Sequence, residues 1–195
     1  DGVLSEPPAG LQLVSVLRWS PSLVRLIGDI MATAPRLARF LSRRSRVLDA
    51  VLDPGFFGDL PTTQETEQLI DEELSQSADY QDLLDRARRV GQEQAFLIGV
   101  RILSGTVSAD QAGDAYASLA RAVIRGMQEG VIEELERQHG RVEGGQAAVI
   151  AMGKLGGSEM TASSDLDLII VYDFDPDAGA SDGPRPVSGS QYFAR

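Results

Sequence analysis

The chain has 195 residues, 43% hydrophobic and 24% charged, which suits one ordinary folded domain or one domain with part of another. Its 29 acidic and 18 basic residues give a formal charge of −11, which repels phosphate backbones and argues against DNA or RNA as a partner. It has no cysteine, which excludes disulfides and thiolate metal sites and fits a cytoplasmic protein. No apolar run nears the roughly 20 residues that span a bilayer, so no membrane association is expected.

The amino end, Asp1 to Gly10, is acidic and carries Pro7 and Pro8, unlike a signal peptide. The chain opens without Met and stops just after Tyr192-Phe193, where a helix is expected to start, so it reads as an excised fragment. From about Leu11 to Gln138 the periodicity is helical. Ser20-Pro21 offers a cap followed by proline at the first helical position, and Leu23, Ile27, Ile30 and Met31 form one stripe. Ala34-Pro35 breaks this helix, and Leu37, Phe40 and Leu41 continue on another. Val47, Leu48, Val51 and Leu52 make a short segment stopped by Asp53-Pro54-Gly55. Thr62 with Glu65 resembles a capping box. Asp79 begins a longer helix with apolar Leu83, Ala87, Val90, Ala95, Ile98 and Ile102, closed by Gly105. Ser108 with Gln111 opens the strongest helix, whose stripe is Ala112, Tyr116, Leu119, Val123, Met127, Val131 and Leu135, ended by His139-Gly140. These stripes predict packing in a helical bundle.

At Gly144-Gly145 the pattern changes. Ala147 to Met152 is a short apolar run, the signature of a strand buried on both faces. A glycine-rich loop, Gly153-Lys154-Leu155-Gly156-Gly157-Ser158, follows, and Asp165 to Tyr172 reads as a second strand. An Asp, Pro, Gly and Ser-rich loop then runs to about Ser188.

The chemistry concentrates in this second stretch. Within a strand, Asp165 and Asp167 point to one face with Cα atoms about 6.5–7 Å apart, while Leu166 and Leu168 point into a core. Two adjacent carboxylates repel, and a hard divalent cation such as Mg²⁺ resolves the repulsion while still taking substrate phosphates. Gly153, Gly156 and Gly157 allow backbone N–H groups to approach phosphate oxygens; Lys154 adds a positive charge, and Ser158 or Ser164 a hydroxyl. A nucleotide is compatible with the negative net charge, because such local groups and Mg²⁺ override the global field. An Asp-x-Asp alone is a weak signal; with the glycine loop and an apolar run before each part it is much stronger.

Competing motifs fail. Leu155 follows Lys154 where a Walker A loop needs Ser or Thr. Asp173-x-Asp175-x-Asp177 departs from a calcium loop, with glycine at the seventh place and Pro184 at the twelfth. The single histidine, His139, sits at a helix end, where a dipole contact accounts for it; one histidine assembles neither a Ser-His-Asp triad nor a zinc site.

The stretch AMGKLGGSEMTASSDLDLIIVYD, residues 151–173, resembles the signature of the nucleotidyltransferase superfamily that includes DNA polymerase β. Within it, GKLGG followed by SDLDL is similar to the family of bifunctional glutamine synthetase adenylyltransferase and adenylyl-removing enzymes. Upstream, VLDAVLDPGFF and RILSGTVSADQA resemble the helical region before that family's catalytic domain, and look more like the adenylyl-adding half. The resemblance implies an α+β chain: a mainly α-helical bundle over 1–140, then over 141–195 the truncated start of a polymerase β-like nucleotidyltransferase sheet. It implies Asp165 and Asp167 as catalytic Mg²⁺ ligands and the Gly153 to Ser158 loop as the holder of ATP. A third metal carboxylate is expected on a later strand, beyond the chain. Lys154 departs from the broader superfamily, which has Gly or Ser there, but agrees with the narrower family. The implied reaction moves AMP from ATP to a tyrosine hydroxyl of glutamine synthetase, and the implied regulator is the nitrogen-signalling PII protein. Two alternatives stay open: the adenylyl-removing half, working by phosphorolysis, and a helical docking module whose Asp-x-Asp is vestigial.

Overall fold

The computed structural model describes residues 28, 47, 50, 51, 53–177 and 179–194. The expected elements built on Ser20-Pro21, Leu23, Ile27, Ile30, Met31, Ala34-Pro35, Leu37, Phe40 and Leu41 lie outside these residues, as do Leu48 and Leu52. A 3-10 turn, Pro54–Phe57, precedes three long helices: α1 (Thr63–Ser75), α2 (Tyr80–Leu103) and α3 (Ala109–His139). Strand β1 (Gln146–Ala151), the one-turn helix α4 (Gly153–Gly156), strand β2 (Leu168–Asp173) and the short helix α5 (Gly189–Phe193) follow. The protein is therefore α+β and mainly helical. Its described residues form two compact units, one made of those up to 60 with 96–109, the other of 61–95 with 110–194.

In the first unit, Asp53 starts the 3-10 turn, its Oδ1 accepting from the Gly55 N–H at 2.7 Å. Val47, Val51, Phe56, Phe96, Ile98, Val100 and Val107 are buried. Arg101 is buried among them at 8% exposure, yet its charge is accommodated. Its Nε donates to the Phe56 carbonyl at 2.7 Å, and the guanidinium lies 4.6 Å over the Phe56 ring. Burial lowers its pKa from the ordinary arginine value. Ile102, expected in the apolar stripe, is 37% exposed; Phe96 and Val100 take the buried positions instead.

In the second unit, α1 begins at a complete capping box: the Glu65 N–H donates to Thr62 Oγ1, and Glu65 Oε2 accepts from the Thr62 N–H at 2.8 Å. Helix α2 starts after Asp79, whose Oδ1 accepts from the Asp82 N–H at 2.8 Å. Helix α3 packs through small residues. Ala112, Gly113, Ala117, Ala122 and Gly126 are buried with Tyr116 and Leu119, whereas Val123, Met127, Val131 and Leu135 are only half-buried. A Cβ on Gly126 would stand 2.6 Å from Leu74 Cδ1, so glycine is what lets α1 seat Ile70 and Leu74 against α3. Burying each of these two side chains stabilises by roughly 1.5–3 kcal/mol. By contrast, the ion pairs of Arg125 with Asp71 (2.7 Å) and Glu67 (3.2 Å) are half-exposed, and such pairs contribute about 0–1 kcal/mol. The apolar seam holds the helices; the ion pairs trim its edge.

The end of α3 is capped by a distant loop. The N–H groups of Gly183 and Arg185 donate to the carbonyls of His139 (2.9 Å) and Gln138 (3.1 Å), groups that a helix leaves without partners. His139 is buried, and its Nδ1 lies 2.7 Å from the Arg185 carbonyl, so that nitrogen carries a proton and donates. This specific bond adds to the dipole contact expected from sequence. Gly140 has φ +73, and a Cβ on it would collide with the Gly183 backbone; at Gly144, φ +67, a Cβ meets nothing within 4 Å.

The two strands form an antiparallel pair, with register from Gln146 opposite Asp173 to Ala151 opposite Leu168. Here the sequence reading is corrected. Neither strand is buried on both faces: Ile150 is 46%, Ile169 47% and Ile170 64% exposed. Leu166 and Leu168, expected in a core, are 51% and 39% exposed. Apolar runs report that a strand is fit for burial, not that something covers it, and the described sheet has two strands. At its far end Tyr172, Phe174 and Phe193 stack, with Tyr172 and Phe193 centroids 5.1 Å apart, which ties α5 to β2.

Two predictions follow from this architecture. Gly144→Ala should destabilise the chain only by the left-handed backbone cost of roughly 1–2 kcal/mol. Gly140→Ala should cost clearly more, since a backbone collision is added; urea unfolding of both variants checks the order. Amide exchange in β1 and β2 should be faster than at the buried positions of α3, because the strands lack covering side chains. Equal protection in strands and helix would contradict the exposed sheet.

Candidate active site

The strands bring the two halves of the expected site together. The N–H of Met152, just past β1, donates to the Asp167 carbonyl at 2.9 Å, extending the ladder by one rung beyond the Ala151–Leu168 pair. The chain then turns sharply at Gly153, whose φ of +53 is rarely adopted by residues with a side chain. A Cβ there would collide with Asp167 Oδ2. Glycine at 153 thus has two causes, the positive φ and a carboxylate lying directly over its Cα. The glycine of one motif and the second aspartate of the other meet in space.

The rest of the glycine segment differs from an open phosphate-cradling loop. Gly153–Gly156 is one helical turn, α4. The N–H of Gly156 donates to the Met152 carbonyl (2.9 Å), that of Gly157 to Gly153 (3.0 Å) and that of Ser158 to Leu155 (3.3 Å). The amides of Gly156 and Gly157, expected to face phosphate, are therefore turned inward, as is that of Ser158. The first-turn amides of Gly153, Lys154 and Leu155 have no partner within so short a turn. Gly156 is required sterically, because a Cβ would stand 2.8 Å from the Ala151 carbonyl oxygen; at Gly157 the nearest contact would be an ordinary 3.6 Å. Lys154 is exposed, and Leu155, fully buried, anchors the turn.

Asp165 and Asp167 lie in the irregular segment before β2 rather than within it. Asp167 already spends its carbonyl on Met152, which fixes its place without a full strand pairing. Both residues are exposed, and neither carboxylate enters an ion pair among the described residues. Their all-oxygen donor set fits a hard cation such as Mg²⁺. Among the described residues, however, no group of three or more His, Asp or Glu side chains is placed to hold a metal. Ser164 serves the local turn: its Oγ accepts from the Thr161 N–H at 2.9 Å and bonds the Thr161 hydroxyl at 2.9 Å.

One contributor was not legible in the sequence. Arg121 of α3 donates from Nη2 to the Leu155 carbonyl at 3.2 Å and to the Ser158 hydroxyl. Ser158 has φ +59, the only positive φ of a non-glycine residue among those described, which costs roughly 1–2 kcal/mol. Gly113, also on α3, gives this segment room: a Cβ would stand a tight 3.3 Å from the Ser158 carbonyl oxygen. Interactions spanning 34 and 37 residues leave no local pattern to read.

Comparison with known proteins identifies the family. A family model described as glutamate-ammonia ligase adenylyltransferase matches residues 24–195. The chain is 51% identical over 196 aligned residues to a bifunctional glutamine synthetase adenylyltransferase/adenylyl-removing enzyme of Xanthobacter autotrophicus. It is 48% identical to one from a Bradyrhizobium species and 44% identical to one from Brucella suis. Each match covers the whole chain but only 20% of the relative, so the chain spans about one fifth of their length. The chain belongs to the glutamate-ammonia ligase adenylyltransferase family. Among the described residues no helix is long and apolar enough to cross a membrane.

Proposed function

We propose that residues 146–173 form the nucleotide-handling part of an adenylyltransferase centre that moves AMP from ATP to a tyrosine hydroxyl of glutamine synthetase. The observation that carries this reading is the seating of the Asp167 carboxylate over Gly153, which unites the glycine turn and the Asp-x-Asp segment in one place. The relatives are named as enzymes acting on glutamine synthetase, which supplies the substrate class. The upstream segments favour the adenylyl-adding half over the adenylyl-removing half.

In this reading Asp165 and Asp167 hold Mg²⁺, which supplies charge neutralisation at the phosphates when bound. The chain's own groups do the positioning. Gly153 keeps the space over its backbone clear so that the Asp167 carboxylate stays at the turn. The Met152–Asp167 backbone bond fixes how far that carboxylate stands from α4. Lys154, exposed on α4, offers a cation to a phosphate oxygen. The attacking hydroxyl belongs to the substrate protein, so Tyr172, stacked on Phe193, takes no part.

The full-length protein, assayed for transfer of labelled AMP from ATP to glutamine synthetase, should be active, and Asp167→Asn should lower kcat by about a hundredfold or more. Release of AMP from modified glutamine synthetase with phosphate, but no transfer to it, would assign the opposite half. Tight binding of glutamine synthetase with neither activity would leave only a docking role.

A further inference from the structure

We infer that Arg121 of α3 is a positioning residue for nucleotide transfer, setting the glycine turn in the conformation that keeps the Asp167 carboxylate over Gly153. The inference rests on the function proposed above but is carried by separate observations. Arg121 is the side chain from α3 that bonds the turn at both ends of its second half, at the Leu155 carbonyl and at the Ser158 hydroxyl. Ser158 closes the turn in a left-handed conformation unfavourable for a residue with a Cβ, so something must hold it there. The guanidinium does so through the hydroxyl of that very residue.

The rest of the turn is over-determined around this contact. Leu155 is fully buried, and Gly113 of α3 leaves the Ser158 carbonyl the room that a Cβ would crowd. If the tether is cut, Ser158 can relax toward negative φ. That relaxation swings the inward-turned amides of Gly157 and Ser158 and shifts α4, and α4 begins at the residue over which Asp167 sits. Arg121 is itself exposed, so its removal opens no core cavity. A merely structural tether and a positioning tether therefore separate experimentally: the first lowers stability in step with activity, and the second lowers activity at nearly constant stability.

The test uses the full-length enzyme. Arg121→Ala should reduce kcat/KM for ATP about tenfold to a hundredfold, the scale of a small misplacement near reacting groups, while the thermal midpoint moves by no more than about 2 °C. Arg121→Lys, able to keep one of the two bonds, should recover part of the loss. Amide exchange at 156–159 should quicken in Arg121→Ala while the buried amides of α3 keep their protection. Adding Ser158→Gly to that variant should restore protection, because glycine takes the positive φ without help. Unchanged kinetics and unchanged exchange at 156–159 would overturn the inference, as would a loss of activity that simply tracks a loss of stability. If Asp167→Asn proves fully active, the proposed site fails instead, and exchange at 156–159 still decides whether Arg121 sets the turn.

Discussion

The Asp167 carboxylate lies over the Gly153 Cα, where a Cβ would displace it, and the arrangement of the proposed site centres on that contact. The backbone bond from Met152 to Asp167 brings the two segments to the same level, and the antiparallel register of β1 and β2 delivers them there. A glycine turn after one strand and a carboxylate pair before the next are thus a single device built from both strand ends. This contact also explains why Asp167 sits outside β2 proper: its carbonyl continues the ladder while its side chain is turned to the glycine.

Helix α3 gives the device its footing. Along its first half it presents Gly113 and Arg121 toward residues 155–160, and along the same stretch it buries Ala117 and Ala122. A glycine inside a helix costs about 1 kcal/mol relative to alanine, yet α3 carries Gly113, Gly126 and Gly130, and each lies where a Cβ would crowd a neighbour. The helix is specialised for close approach to α1, to α2 and to the glycine turn. Its far end is fixed separately, by the 181–187 loop whose amides close the helix's last carbonyls.

What could be read from the sequence was local. The Thr62–Glu65 capping box and the Asp79 start involve residues a few positions apart, so spacing alone reveals them. The change from helical to strand pattern near Gly144 appears as strands at Gln146 and Leu168, and the glycine and Asp-x-Asp motifs adjoin one another. Two readings are corrected for physical reasons. Ile150 and Ile169–Val171 are apolar without being covered, since hydrophobicity records a capacity for burial. The glycine segment folds into a helical turn because Gly156 and Gly157 can satisfy their amides on Met152 and Gly153 at once. Arg121 and Arg101 look like ordinary helix-surface charges until the distant carbonyls of Leu155 and Phe56 are placed beside them.

The three glycines of the turn are unequal in what a Cβ would meet, and alanine substitution tests that difference directly. Alanine at 153, 156 and 157 should be introduced singly in the full-length enzyme and the rate of AMP transfer measured. Gly153→Ala and Gly156→Ala should each lower the rate by at least about tenfold, since their Cβ atoms meet the Asp167 carboxylate and the Ala151 carbonyl, whereas Gly157→Ala, with room for its methyl group, should stay within about threefold of the parent enzyme. Equal losses at all three positions, or a tolerated alanine at 153, would contradict the claim that the Gly153–Asp167 contact organises the site.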